Sequence, residues 1–160
     1  MSSQCGLCVK IAHTTDNLAE MPDLVWAFPS SFAWLGPWQF YRGYCILVAR
    51  QHASELFQLA DGDRRALLDE MTLLAQAIAE EFTPRKMNYE LLGNQVPHLH
   101  WHLFPRYAND PLLLKPVWLS IDQAERQPES KATLMGDPTL VGETIQRLRQ
   151  RLTRLMDGRS

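Results

Sequence analysis

Apolar residues in this chain fall first into short runs broken by turn formers, then into longer stretches with helical spacing. Leu24 to Phe28 is the first run and ends at Pro29-Ser30-Ser31. Phe32 to Leu35 is the second, stopped by Gly36-Pro37, and Tyr44 to Ala49 is the third, after Arg42-Gly43. Short apolar runs bounded by Gly, Pro and Ser read as strands, and their close spacing predicts an antiparallel meander. Met87 to Leu92 is a further extended segment. Gly93-Asn94-Gln95-Val96-Pro97 then forms a tight loop before a strictly alternating stretch, His98-Leu99-His100-Trp101-His102-Leu103-Phe104. Alternation predicts a half-buried strand, with the three imidazoles on one face and Leu99, Trp101 and Leu103 turned to a core.

The helical stretches lie on either side of this strand. Ala60-Asp61-Gly62-Asp63 opens one, with Asp61 or Asp63 placed to accept hydrogen bonds from first-turn amides. Leu67, Met71, Leu74 and Ile78 give its apolar stripe, and Pro84 ends it, lacking an amide hydrogen. Residues 108–137 contain Pro111, Pro116 and Pro128 and read as a long surface connection. Asp137-Pro138 then caps a helix near 138–156, with Val141, Ile145, Leu148, Leu152 and Leu155 on one face. Arg147, Arg149, Arg151 and Arg154 occupy its other face, which reads as solvated or as a docking surface for a polyanion or partner.

Composition narrows the possible classes. The chain has 160 residues, 46% of them hydrophobic, enough for one globular domain with a real core. A formal charge of −2 argues against binding to nucleic acid polymers or membrane surfaces. The apolar runs are too short to span a bilayer. Met1-Ser2-Ser3-Gln4-Cys5 shows no basic-then-apolar signal pattern, and three cysteines do not make a secreted disulfide framework. A reducing, cytoplasmic setting is therefore expected.

Strand geometry limits what the histidine row can do. Alpha carbons two apart on a strand lie roughly 6.6 Å apart, and those four apart about 13 Å. Metal–nitrogen bonds are only about 2.0–2.1 Å, so the three histidines are expected to divide their labour. Cys5-Gly6-Leu7-Cys8 supplies two thiols at a spacing that suits tetrahedral zinc, with two further ligands needed. His52, just past the third strand, and His98, the outermost of the row, are the candidates; His13 is too close to the cysteines and set among polar residues. A Cys5, Cys8, His52, His98 site has no open position, which would make its zinc structural. A redox pair, two unbonded cysteines, and a His52 that merely caps the following turn are the alternatives. A redox pair would be expected between a strand and a helix.

His100 and His102 remain for chemistry. A neutral imidazole is a competent nucleophile toward phosphorus, and a pKa near 6.5 keeps much of it neutral at pH 7. Its attack would give a phosphoryl- or nucleotidyl-imidazole that water then cleaves. A second imidazole can bond a phosphate oxygen or protonate the leaving group. Amides of Gly93, Asn94 and Gln95, with the Asn94 side chain, can cradle phosphate oxygens.

The run from His98 to Phe104 resembles the signature of the histidine triad (HIT) family, three histidines alternating with apolar residues. The likeness extends upstream from Asn88 through Pro97 and downstream through Pro105-Arg106, and Cys5-x-x-Cys8 is similar to the zinc-binding members, close to the diadenosine polyphosphate hydrolases. It covers roughly residues 5 to 107, leaving 108–160 as an extension. The resemblance implies an α+β fold: a five-stranded antiparallel sheet, a long helix packed on it and, here, an added C-terminal helix. It also implies a homodimer with a continuous ten-stranded sheet. The implied activity is cleavage of nucleotidyl phosphate linkages in diadenosine polyphosphates, adenosine phosphoramidates or acyl-adenylates. It makes His100 the nucleophile, puts His102 on the phosphate or leaving group, and places zinc on Cys5, Cys8, His52 and His98.

Two features depart from the family pattern. Many relatives carry another active-site histidine in a Pro-Gly-His segment, where this chain has Arg42-Gly43-Tyr44. The ribose-binding Asn or Asp expected at the end of the second strand is replaced near Gly36-Pro37-Trp38-Gln39, so Trp34, Trp38 or Phe40 is left to stack on a base or to join the core. These departures keep two other readings open: a nucleotide-binding or interaction module with little turnover, and a metal-dependent hydrolase using the triad directly.

Overall fold

Links of three and nine residues are too short for crossovers between the first three strands, so they must pair as antiparallel neighbours. The computed structural model describes residues 5–158. In it β1 (Leu24–Ala27), β2 (Ser31–Leu35) and β3 (Cys45–Ala49) form this meander. β5 (His100–Arg106) pairs with β3, and β4 (Lys86–Glu90) closes the far edge, giving the antiparallel order β1-β2-β3-β5-β4. The α+β fold with a five-stranded sheet is thus the one expected.

The period-two pattern sorts side chains to two faces. Cys45, Leu47 and Ala49 of β3 and Leu103 of β5 join the main core. The helix α2 (Asp61–Phe82) packs there through Leu67, Leu74 and Ile78, and α5 (Val141–Asp157) through Ile145, Leu148 and Leu152. The opposite face carries two smaller clusters. Leu7 and Ile11 of α1 (Gly6–Ala12), one helical turn apart, cover Phe32, Trp34 and Val48. Val117, Ile121 and Ala124 of α3 (Val117–Arg126) and Leu134 of α4 (Pro128–Met135) cover Tyr41, Tyr44 and Phe104. Among the described residues, no helix is long and apolar enough to cross a membrane.

Several sequence expectations change. Residues 108–137 are not an unstructured connection, because they contain α3 and α4. Pro116 is the N-cap of α3 and Pro128 opens α4, positions where a missing amide hydrogen costs nothing. The α2 N-cap is Ala60, without a side-chain cap; Asp61 pairs with Arg64 at 2.7 Å, and both Asp61 and Asp63 lie in the first turn, where the helix dipole favours negative charge. Asp137 does cap, accepting from the Thr139 amide at 2.9 Å. On α5, Arg149 donates to the carbonyls of Leu24 and Met21, while Arg147 and Arg151 pair with Glu81 at 2.6 and 3.1 Å. Three of the four arginines therefore pin α5 to the body instead of forming a free basic face.

The loop after β5 is fixed by Arg106, which is 1% exposed. It forms a 2.6 Å ion pair with buried Asp110 and donates to Asn88 Oδ1 and the carbonyls of Leu112 and Lys115. A guanidinium is tolerated at this depth because so many of its donors are satisfied. The bonds also set where the following segment, and hence α3, returns to the sheet.

Candidate functional site

β5 begins at His100, not His98. His98 occupies the bend just before it and is 1% exposed. The step out of the ladder separates the first histidine from the other two. Its Nε2 lies 2.7 Å from the Ala49 carbonyl, which can only accept, so the proton sits on Nε2 and Nδ1 is a bare lone pair. That Nδ1 faces three other candidate ligands. Cys5 Sγ and Cys8 Sγ both stand 3.5 Å from it and His52 Nδ1 3.2 Å, while Cys8 Sγ is 3.2 Å from His52 Nδ1.

These spacings allow a metal to be tested against the residues present. A tetrahedral ion with bonds of about 2.0–2.3 Å keeps its ligand atoms roughly 3.3–3.8 Å apart. The four donor atoms all lie within 4.8 Å of one another, and four of their separations fall at or near that range. The group can hold a metal ion, and the His98–Ala49 bond fixes the required tautomer from behind. His13 stands at the C-cap of α1 and outside the group.

His100 and His102 share the opposite side of the division. Their rings lie 5.0 Å apart, nearly perpendicular. His100 Nδ1 is 2.6 Å from the His98 carbonyl, so Nδ1 carries the proton and Nε2 is left with its lone pair. His102 Nδ1 is 2.7 Å from the Tyr44 hydroxyl. Burial and the adjacent His100 lower the His102 pKa to about 4, and burial keeps the Tyr44 phenol protonated far above neutrality. A protonated phenol donates to a bare Nδ1 or accepts from Nδ1–H; in the first arrangement His102 carries its own proton on Nε2. In that arrangement one imidazole offers a bare Nε2 and its neighbour an Nε2–H.

A cavity of about 430 Å³ opens over the two rings. Gly93, Asn94, Gln95 and Val96 form one wall, as the sequence led us to expect, with Gly93 at φ +79°, a backbone conformation that suits glycine. The other wall was not anticipated. It comes from α3, through Trp118, Ile121, Asp122 and Glu125. The Trp118 ring stands edge-on to His102 at 5.1 Å, and its indole N–H donates to the Glu90 carboxylate, which sits beside His102 in the ladder. The spacing of Val117, Ile121 and Ala124 was a legible helical signal, masked by the surrounding prolines. Trp34, Trp38 and Phe40 do not line this cavity; all three pack in the apolar clusters instead.

Comparison with known proteins agrees with this geometry. The HIT domain family model matches residues 20–109, more than half of the chain. The chain belongs to the HIT family. HIT proteins bind nucleotides, and many are hydrolases while some are not catalytic. A histidine triad protein of Bradyrhizobium japonicum is 28% identical, with a TM-score of 0.66 over 87% of this HIT chain and 96% of its own. A zinc-bound HIT protein of Mycobacterium smegmatis shares the fold at 17% identity, with a TM-score of 0.65 over 97% of both chains. The protein hit of Bacillus subtilis is 28% identical over 75 residues, covering 44% of this chain and about half, 52%, of that protein. The family model stops short of α3, so the second cavity wall lies outside the matched region.

Proposed function

We propose that this HIT protein is a nucleotide hydrolase or transferase that cleaves a nucleotidyl phosphoanhydride or phosphoramidate bond through a covalent nucleotidyl-His100 intermediate. The observation that carries this reading is the 2.6 Å bond from His100 Nδ1 to the His98 carbonyl. It leaves Nε2 unprotonated at the cavity and stabilises the cation that forms when Nε2 acquires a bond to phosphorus. His102 Nε2–H then donates to a phosphate oxygen as charge builds there in the transition state. The phosphate contact is the role that an Nε2–H tautomer of His102 suits. Gly93, Asn94 and Gln95 border the same space and supply amides for the remaining oxygens. Diadenosine polyphosphates and phosphoramidates share this nucleotidyl phosphorus, and the same attack serves both.

Zinc is the metal that the two thiols and two imidazoles of Cys5, Cys8, His52 and His98 suit. Bound there it has a structural part, tying α1 to the ends of β3 and β5. The zinc-bound Mycobacterium smegmatis relative supports this assignment. Because His98 belongs to that group, the triad is not available as a single catalytic metal site, which disfavours the metal-dependent alternative. Exposed Tyr89 on the edge strand β4 supports a homodimer formed by pairing that edge with its copy. The free thiols of Cys5, Cys8 and Cys45 support a reducing, cytoplasmic setting.

The test is His100→Ala assayed chromatographically against adenosine phosphoramidates and dinucleotide polyphosphates. Turnover should fall by roughly three orders of magnitude or more, with nucleotide binding and melting temperature kept. Mass spectrometry of acid-quenched wild-type protein should find the nucleotidyl adduct on the peptide containing His100. An active His100→Ala variant overturns the mechanism.

A further inference from the structure

The cavity over His100 and His102 has an unusual charge for a site that handles phosphate. Its lining includes Leu92, the 93–96 loop, the two histidines, Trp118, Ile121, Asp122 and Glu125, and none of these is Lys or Arg. A polyphosphate brings several negative charges, and sites built for it meet them with cations. Here the charged side chains in the lining are two carboxylates from one helix. Asp122 and Glu125, three residues apart on α3, are both exposed toward solvent and both line the cavity. Asp122 pairs with Arg126 at 2.8 Å, whereas Glu125 has no ion-pair partner among the described residues. Glu90 adds a third carboxylate behind the wall, held to the Trp118 indole.

Resting on the His100 reading above, we infer that Asp122 and Glu125 select the leaving group: the favoured substrate joins a nucleoside monophosphate to a group carrying an ammonium or guanidinium. The nucleotidyl phosphorus itself needs only one negative charge accommodated, and the 93–96 amides and His102 suffice for that. The rest of the substrate meets the acidic wall. There a cation is attracted and a further phosphate or carboxylate is repelled, with little screening between groups a few ångströms apart. Long polyphosphates are therefore the disfavoured members of the general class.

The chemistry balances without further components. His100 Nε2 forms a bond to phosphorus as the bond from phosphorus to the leaving nitrogen or oxygen breaks, its electron pair going to the leaving atom. Water then attacks the phosphoimidazole and returns His100 to its neutral form. The departing atom takes a proton from solvent in the first step; in the second the attacking water gives its oxygen to phosphorus and returns a proton to solvent, so the sum consumes one water. α3 takes no part in bond breaking; it ranks what may depart.

The experiment compares two adenosine phosphoramidates, one with an aminobutyl and one with a carboxypropyl substituent, in wild type, Glu125→Gln and Glu125→Lys. Wild type should favour the aminobutyl compound in kcat/KM by about tenfold or more. Glu125→Gln should narrow that ratio and Glu125→Lys should abolish or invert it. Raising the salt toward ~1 M, where the Debye length is about 3 Å, should compress the ratio in wild type. Because Glu125 is solvent-exposed, both variants should keep the wild-type melting temperature. Equilibrium binding of the same pair to His100→Ala reads the wall's preference without turnover. If neither compound is turned over but binding to His100→Ala favours the cation, the hydrolase reading fails and the selectivity stands. Equal turnover and equal binding of the two compounds overturn the selectivity and leave the His100 mechanism intact.

Discussion

The hydroxyl of Tyr44 lies 2.7 Å from Nδ1 of His102, and this one contact engages Nδ1 and leaves Nε2 as the other ring nitrogen. Burial keeps the phenol protonated, and with that phenol as donor to Nδ1 His102 presents Nε2–H, the arrangement a phosphate contact needs. Tyr44 itself does not titrate near neutrality. The ring is held there by its surroundings. It stacks on Phe104 at 3.9 Å between centroids, and a side chain on Gly36 would occupy the same space as its edge.

Tyr44→Phe removes the donor and keeps the ring. The His102 proton then distributes over both nitrogens, and kcat should fall by about tenfold to a hundredfold with KM little changed. Burial and His100, which set the low His102 pKa, are both kept in this variant, so the proton's distribution over the ring is the change to read. Imidazole nitrogen NMR reads that tautomer change, which a merely structural effect would not produce. Gly36→Ala should give a similar activity loss by displacing the ring, together with ~1–3 kcal/mol of destabilisation from overpacking, measured by urea unfolding.

His102 also makes stability depend on pH. Its folded pKa, near 4, lies below the unfolded value of about 6.5, so the unfolded chain binds the extra proton between those limits. The stabilising contribution is fully present above about pH 6.5 and is lost as pH falls through about 4. Urea unfolding at several pH values should show this decline, and His102→Gln should flatten it within that window. The contrast with His102→Gln separates the effect from acid release of any bound metal.

Metal removal should act on stability before chemistry. A chelator that strips Cys5, Cys8, His52 and His98 releases α1 from the sheet ends, so the melting temperature should fall by several degrees or more, in proportion to the zinc lost. Cys8→Ser should reproduce this with reduced zinc content. Turnover measured at low temperature immediately after chelation should persist, since His100 and His102 are not in the group. Immediate loss of activity in protein that stays folded would restore the metal-dependent reading.

Local information was enough for much of this protein. Alternation alone set Leu103 into the core and His100 and His102 to the other face, because side-chain direction along a strand has a period of two whatever the strand pairs with. The stripe from Leu67 to Ile78 and the arginine-bearing helix from Val141 were legible for the same reason. Ligand count and bond length, read against strand spacing, already brought Cys5, Cys8, His52 and His98 together. Tertiary structure decided what depends on partners distant in sequence. Nothing near Tyr44 says that its hydroxyl will meet His102, since that contact exists only once β3 pairs with β5. Nothing in the proline-spaced segment after Tyr107 says that Arg106 will anchor it and bring Trp118, Asp122 and Glu125 over the histidines. The sequence determined which side chains could do chemistry, because composition and periodicity are local. Which tautomers they hold and what charge surrounds them were set by packing between elements far apart along the chain.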